Sequence, residues 1–284
     1  MRGVRLHSRF HPAEPPFSAK RLRPTSAITR KNFLLRCKFS GVAGVGPKGI
    51  NGLSQEAIDA AIAEATRVGF AVVRQFKPDA GTSAVASRFG RVIDIPRILN
   101  APRIPTVQTL EPTMAEHSSL NRYSGHFGHG VFPLHTDLAH WHRPPRFFLL
   151  RCISGHSAVQ TYVVPRRRIV EDVGEKVVSR AVCRPRRSRP QTPLCPAPIQ
   201  FRENGIDGIR WDTVFLEPIN ACARELAERI TAPGYVEEIA SRVILENPGD
   251  VLLVDNWQAL HGRGTVPEDA THRRIERAYI RLGD

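Results

Sequence analysis

A mainly β fold with helical decoration, a β-sandwich or jelly roll, is the class this sequence predicts. Three observations predict it. Short apolar runs broken by Pro and Gly recur at residues 105–110, 132–137, 146–152, 159–164, 209–212 and 251–255. Helical periodicity is confined to a few segments, and the chain shows no internal repeat. The composition is that of an ordinary globular chain, 41% hydrophobic and 24% charged over 284 residues, long enough to bury a large core.

The elements follow in order. Ser54 suits the N-cap of a helix through about residue 67, with Ala57, Ile58, Ala61 and Ile62 on one face and Gly69 as its stop. Residues 70–76 (FAVVRQF) read as a strand and 80–89 as a second helix closing at Gly90. The short strands come next. The segment 166–190, rich in arginine and spotted with proline, reads as a surface excursion. Helical patterns cover 220–230 and 235–243, and Asn247-Pro248-Gly249-Asp250 is a turn before the strand at 251–255. An apolar piece at 257–260 and a closing strand over 273–282 complete the chain.

Charge is unevenly spread. Residues 1–48 hold eleven Lys/Arg and a single acid, Glu14, so ten of the fourteen net positive charges lie there. That stretch is expected to be a basic, disordered tail or extension, with the folded domain over 49–284. Its acid-poor, Arg-rich character also fits an organelle-targeting peptide. It carries no stacking platform or reading element, so a nucleic-acid partner is not expected. The longest apolar runs, 147–150 and 251–254, are far short of the ~18 residues a membrane span needs. Five cysteines (37, 152, 183, 195 and 222) without C-x-x-C spacing argue against a disulfide scaffold and for a reducing, cytoplasmic setting. A homo-oligomer is compatible with the sequence, and the partner expected is a small-molecule substrate.

Two segments carry chemistry. In Leu134-His135-Thr136-Asp137 an extended backbone turns His135 and Asp137 to one side and Thr136 to the other, which gives two members of the two-histidine, one-carboxylate set that holds non-haem iron. A second histidine, His261, follows the apolar strand 251–254. Twelve residues later the closing strand places Arg273, Ile275, Arg277 and Tyr279 on one face, and Arg274, Glu276, Ala278 and Ile280 on the other. A guanidinium on the inward face suits a carboxylate. His126, His129, His140 and His142 have no third ligand at a suitable spacing and read as loop or core residues, and His272 reads as surface.

The segments FPLHTDLAHWHRPPRFFLLRC, GDVLLVDNWQALHGR and RRIERAYI together resemble the Fe(II)/2-oxoglutarate dioxygenases of the taurine dioxygenase (TauD/TfdA) and clavaminate synthase-like group, over residues 50–284. The resemblance implies a double-stranded β-helix with iron on His135, Asp137 and His261, and Arg273 on the distal carboxylate of 2-oxoglutarate. It matches Thr161 by position to a second cosubstrate contact, although Gly155-His156-Ser157-Ala158 lacks the glycine pair usual before it. On the substrate side it points to Asn121, Tyr123, Asp212 and Arg277, with Ser124 beside them; Arg277 meets either an anionic substrate or an internal acid. The implied cofactors are Fe(II), 2-oxoglutarate and O₂. The implied reaction is hydroxylation, or a related oxidation, of a small anionic or amino-acid-like molecule with release of succinate and CO₂. Halogenating relatives lack the carboxylate ligand that Asp137 supplies. The alternatives are a His/Asp/His zinc hydrolase and a non-catalytic relative acting through a nucleic-acid-binding tail.

Overall fold

The computed structural model describes residues 54–99, 105–187 and 195–283. The expected basic tail, 1–48, and the start of the folded domain at 49 lie outside the described residues. From the N-terminal side come α1 (Gln55–Val68), β1 (Phe70–Val73), α2 (Thr82–Phe89), β2 (Arg91–Val92), α3 (Ile95–Leu99) and β3 (Val107–Leu110). Next are α4 (Ser124–Phe127), β4 (Phe132–His135), β5 (Phe147–Ser154), β6 (Gln160–Pro165), α5 (Arg166–Val173) and α6 (Glu175–Arg180). A run of short strands follows: β7 (Val182–Pro185), β8 (Ala197–Pro198), β9 (Gln200–Glu203), β10 (Ile206–Ile209) and β11 (Leu216–Pro218). The chain ends with α7 (Ala221–Ile230), α8 (Tyr235–Ile239), β12 (Ser241–Ile244), β13 (Val251–Asp255), β14 (Ala259–Arg263) and β15 (Arg274–Arg281).

Two antiparallel sheets make the jelly roll. The larger has the order β1-β13-β5-β15-β2, with β3 also paired to β15; the smaller has the order β12-β6-β14-β4. Strand alternation explains how both are buried on two sides. In β5, Phe148 and Leu150 point into the space between the sheets with Leu252, Val254, Val163, Val243 and Tyr279. Phe147 and Leu149 point the other way, against Ile58, Ala61, Val85 and Phe89 of α1 and α2. The smaller sheet is covered outside by Ile169, Val178, Leu226 and Tyr235 of α5–α8. Sequences such as FFLLRC therefore read as unbroken apolar runs because each face meets a different layer. Burying one such side chain contributes roughly 1.5–3 kcal/mol.

The caps of α1 form as expected: Ser54 Oγ accepts from the Ala57 N–H, and Gly69, at φ 98°, stops the helix in the left-handed region. Three expectations are corrected. Segment 166–190 is no surface excursion as far as it is described, because α5, α6 and β7 bury Ile169, Val178, Ala181 and Cys183 while Arg167, Arg168, Arg180 and Arg184 stay outside. The helix expected over 235–243 stops at Ile239, and Ser241–Ile244 is a strand paired to β6 from Ser241↔Val163 to Ile244↔Gln160. Tertiary pairing there outweighs the local helical pattern. The strand expected at 209–212 lies earlier, over Ile206–Ile209, and leaves Asp212 in a turn.

Candidate metal centre

Strands β4 and β14 lie side by side with His135 directly opposite His261, and the two imidazoles sit 4.2 Å apart between centroids. Cross-strand neighbours at this spacing can share one ion. Close approach of the strands needs Gly262, since a Cβ there would come within 2.6 Å of the Phe132 carbonyl oxygen. Asp137 follows the end of β4 and is pinned through its backbone. Its N–H donates to Asn256 Oδ1 at 2.9 Å, and Asn256 Nδ2 donates to the carbonyls of Asp137 and Pro145. Thr136 points away, with its hydroxyl on the Ile209 carbonyl, as the alternation predicts.

The donor atoms converge. His135 Nε2 and His261 Nε2 each stand 3.7 Å from Asp137 Oδ1, and the three ligand atoms lie within 4.8 Å of one another, all on buried residues. His135 Nδ1 donates to the Pro133 carbonyl at 2.9 Å, which fixes the tautomer and leaves the Nε2 lone pair turned inward. Burial holds His135 below its ordinary pKa and lowers His261 to about 3, so both rings are neutral near pH 7, the form a metal binds. Burial opposes ionisation of Asp137, but the Arg277 guanidinium, helped by the Tyr279 hydroxyl, holds the carboxyl below its usual range. Two neutral imidazoles and one carboxylate on one side fit a divalent iron and leave positions open for further ligands. Among the described residues this is the one grouping of three His, Cys, Asp or Glu with ligand geometry. His126 is bonded to the Leu120 carbonyl, and His272 is exposed as expected.

Two inward arginines, Arg273 just before β15 and Arg277 within it, differ. Arg273 is 6% exposed, has no acid partner among the described residues, and its Nε meets no acceptor. Burial lowers its pKa to about 10. Arg263, half-buried, adds a second positive charge nearby, although its own guanidinium is spent on the carbonyls of Gly128 and Gly130 at 2.8 Å. Thr161, buried on β6, stands opposite Arg263 in the strand register. Arg277 instead places Nη1 2.7 and 2.8 Å from the two oxygens of Asp137 and Nη2 on Gln108. Of the two roles open to it, the internal acid is the one realised. Tyr279 Oη adds a bond to Asp137 at 3.2 Å.

On the open side, Tyr123 stacks on His135 with centroids 4.1 Å apart, its hydroxyl turned towards Asp212 and Asp137. Asp212 is 2% exposed. Burial raises it to about 7 even though the N–H groups of Val214 and Phe215 donate to it. Asn121 lies at the surface and accepts from Arg187. Sequence reading gave no role to Asn256 or to the Tyr279 hydroxyl. The available signal was a polar Asn directly after an apolar strand, in Val254-Asp255-Asn256.

A jelly roll with two histidines and one carboxylate on facing strands defines the class of mononuclear non-haem metal folds. The chain belongs to the taurine catabolism dioxygenase TauD, TfdA family, whose sequence profile matches residues 38–180. It is 27% identical over 192 residues to the L-lysine 3-hydroxylase of Catenulispora acidiphila; the match covers 62% of this chain and spans about half the length of that relative, 51%. Two solved structures share the fold at 18% identity. One is asparagine oxygenase in complex with Fe(II), 2S,3S-3-hydroxyasparagine and succinate, with a TM-score of 0.61 over 80% of this chain and 78% of that one. The other is the non-heme iron oxygenase OrfP in complex with Fe and alpha-ketoglutaric acid, with a TM-score of 0.57 over 81% of both. No described helix is long and apolar enough to cross a membrane.

Proposed function

We propose that the protein is an Fe(II)- and 2-oxoglutarate-dependent dioxygenase that hydroxylates a free amino acid or a close analogue. The observation that carries this reading is the buried His135–Asp137–His261 cluster, with both Nε2 atoms facing one carboxylate oxygen, beside a buried arginine that lacks an anion. Iron held there would supply the oxidising power with O₂ and 2-oxoglutarate, the latter being converted to succinate and CO₂. The chain holds and aims that chemistry. His135, Asp137 and His261 are the ligands; Asn256 holds the Asp137 backbone, and Arg277 and Tyr279 fix its carboxylate against rotation. Arg273 takes the distal carboxylate of 2-oxoglutarate, with Thr161 beside Arg263 lining the same end. Asp212, a buried acid that faces no cation, takes the substrate ammonium, and Tyr123 closes the wall over His135.

The amino-acid class is supported by the relatives, which are named for lysine and asparagine and, in a further OrfP complex, hold (3S)-hydroxy-L-Arg. A reducing, cytoplasmic location belongs to the same proposal and is supported by Cys152, Cys183, Cys195 and Cys222, all free thiols. The deciding experiment loads the protein with Fe(II) and 2-oxoglutarate without oxygen, admits air with a panel of amino acids, and reads succinate and hydroxylated product. Succinate formed in step with product supports the reading. Hydrolytic activity with Zn(II), and no succinate with Fe(II), would replace it with the zinc hydrolase.

A further inference from the structure

Two residues past the candidate ligand His261 stands Arg263, a cation with no acid partner among the described residues. A bulge aims it. His261 pairs with His135, so a regular register would set Arg263 against Pro133; the ladder shifts, and Arg263 stands opposite Phe132. Its guanidinium lies 3.6 Å from the centre of the Phe132 ring, and Nη2 donates to the carbonyls of Gly128 and Gly130, both at 2.8 Å. Nε donates to the Gly264 carbonyl at 3.2 Å. Carbonyl oxygens and an aromatic face take the place of a carboxylate, and most of them belong to residues 128–132.

The turn that Arg263 grips ends the segment that carries Tyr123. The Gly128 N–H donates to the Ser124 carbonyl, the Gly130 N–H to the Phe127 carbonyl, and the Phe127 N–H to the Tyr123 carbonyl. Gly128 has φ 50° and ψ −123°, a conformation that suits glycine alone, and a Cβ there would meet the Ala115 nitrogen at 3.1 Å. A turn with two glycines has much backbone freedom to lose, so an outside anchor decides whether it keeps one shape. The Val266 N–H supplies a second anchor on the His129 carbonyl at 2.8 Å. Aromatic rings link the same parts: Phe132 lies under Arg263 and 5.6 Å from Tyr123, which lies 4.1 Å from His135. Arg263 therefore reaches the cover of the metal centre both through the backbone and through stacked rings.

We infer that Arg263 is a positioning residue that clamps the 128–130 turn to β14 and so holds Tyr123 over His135. Its consequence for turnover rests on the hydroxylase reading: a cover held down limits the access of water while substrate is bound. With the cover loose, 2-oxoglutarate and O₂ are consumed without hydroxylation of the amino acid.

The test has two parts. Hydrogen–deuterium exchange on the metal-free protein reads the clamp without any turnover. Arg263→Ala should speed exchange of the amides of residues 127–130 by about tenfold or more, the value of one charge-assisted hydrogen bond. Gly128→Ala breaks the same turn from its other side and should do likewise with Arg263 intact. Arg263→Lys keeps the charge but not the planar fork, so it should recover only part of the loss. In the Fe(II)- and 2-oxoglutarate-loaded protein, product formed per succinate should fall in Arg263→Ala and Gly128→Ala. The KM for the amino acid should rise more than that for 2-oxoglutarate. The double variant should be no worse than the poorer single one, because both act on one turn. Where Arg263→Ala fails to fold, Gly128→Ala and Arg263→Lys give the same comparison.

Unchanged exchange over 127–130 in Arg263→Ala would overturn the inference while keeping the hydroxylase reading. So would a loss confined to the KM for 2-oxoglutarate with coupling intact, which would assign Arg263 to the cosubstrate. Faster exchange in the variants, in a protein that forms no succinate with any amino acid, would keep the clamp and overturn the reading beneath it.

Discussion

Arg273 and Arg277 sit four residues apart on the same inward face of the closing strand region, both largely buried, yet one is paired and the other is not. Arg277 shares Asp137 with Tyr279 and closes a charge-balanced group around the metal ligands. Among the described residues Arg273 has no acid partner and Asp212 has no cation partner. A buried charge is costly unless paired, so a protein that keeps an unpaired one keeps it for a ligand. The satisfied charges hold the metal site; the unsatisfied ones mark where cosubstrate and substrate arrive.

The largest effect should come from breaking the satisfied group. Asp137→Ala removes a ligand and leaves Arg277 without its partner, so iron content should fall to background and the fold should lose about 3 kcal/mol. Metal analysis and denaturant unfolding of the same preparation read both. His261→Ala should lose iron too but, with no ion pair broken, should cost much less stability. Equal stability losses would mean that Arg277 does not depend on Asp137.

Next in size is the contrast between the arginines themselves. Arg273→Ala should raise the apparent KM for 2-oxoglutarate by ~10–150-fold, the range of a charge-assisted pair, and should leave the metal-free protein as stable as before or slightly more so. Arg277→Ala should do the reverse: iron affinity falls by roughly 10–100-fold and the protein is destabilised, while the 2-oxoglutarate requirement shifts less. Arg274, exposed on the opposite face, should tolerate alanine on every measure. If Arg274→Ala and Arg273→Ala exchanged effects, the inward face of β15 would be wrong by one residue.

How much of this was legible in the sequence depended on distance along the chain. His135, Asp137 and Thr136 were readable because alternation over three residues decides their directions. Arg273 and Arg277 shared a face for the same reason. The partner of Arg277 was not readable, because Asp137 lies 140 residues away and only the packing of β15 against the loop after β4 brings them together. Ser241–Ile244 failed likewise, since its strand exists through pairing to β6. Helices α5 and α6 were hidden by arginine-rich outer faces over few buried anchors such as Ile169 and Val178. Local geometry fixed the ligands; long-range contacts fixed what steadies them.

Asp212 supplies the third test, through pH. Its carboxyl titrates at about 7 in the folded chain against an ordinary 3.8, so the folded state holds the proton more tightly than the unfolded one. Stability from this group is therefore present below about pH 4 and is lost as pH rises to about 7. Asp212→Asn should flatten that slope in unfolding measurements. Substrate binding should move oppositely, because an ammonium group needs the ionised form: KM for an amino acid should fall as pH rises through about 7. A pH-independent KM would remove Asp212 from the substrate's ammonium and leave it structural.

The smallest expected effect is Tyr279→Phe. The Tyr279 hydroxyl gives Asp137 one neutral hydrogen bond at 3.2 Å, while Arg277 gives two charged contacts at 2.7 and 2.8 Å. Loss of a single neutral bond is worth about 1 kcal/mol, so iron affinity should fall only a few-fold, and the ring should keep its packing against Phe148. The measurement is competitive iron binding on Tyr279→Phe, Arg277→Ala and the double variant. If the two groups act on one carboxylate, the double variant should lose less than the product of the single losses, because removing Arg277 already frees Asp137 to rotate. Strict additivity would mean that Tyr279 and Arg277 steady the site independently, and that the paired group around Asp137 is two contacts rather than one unit.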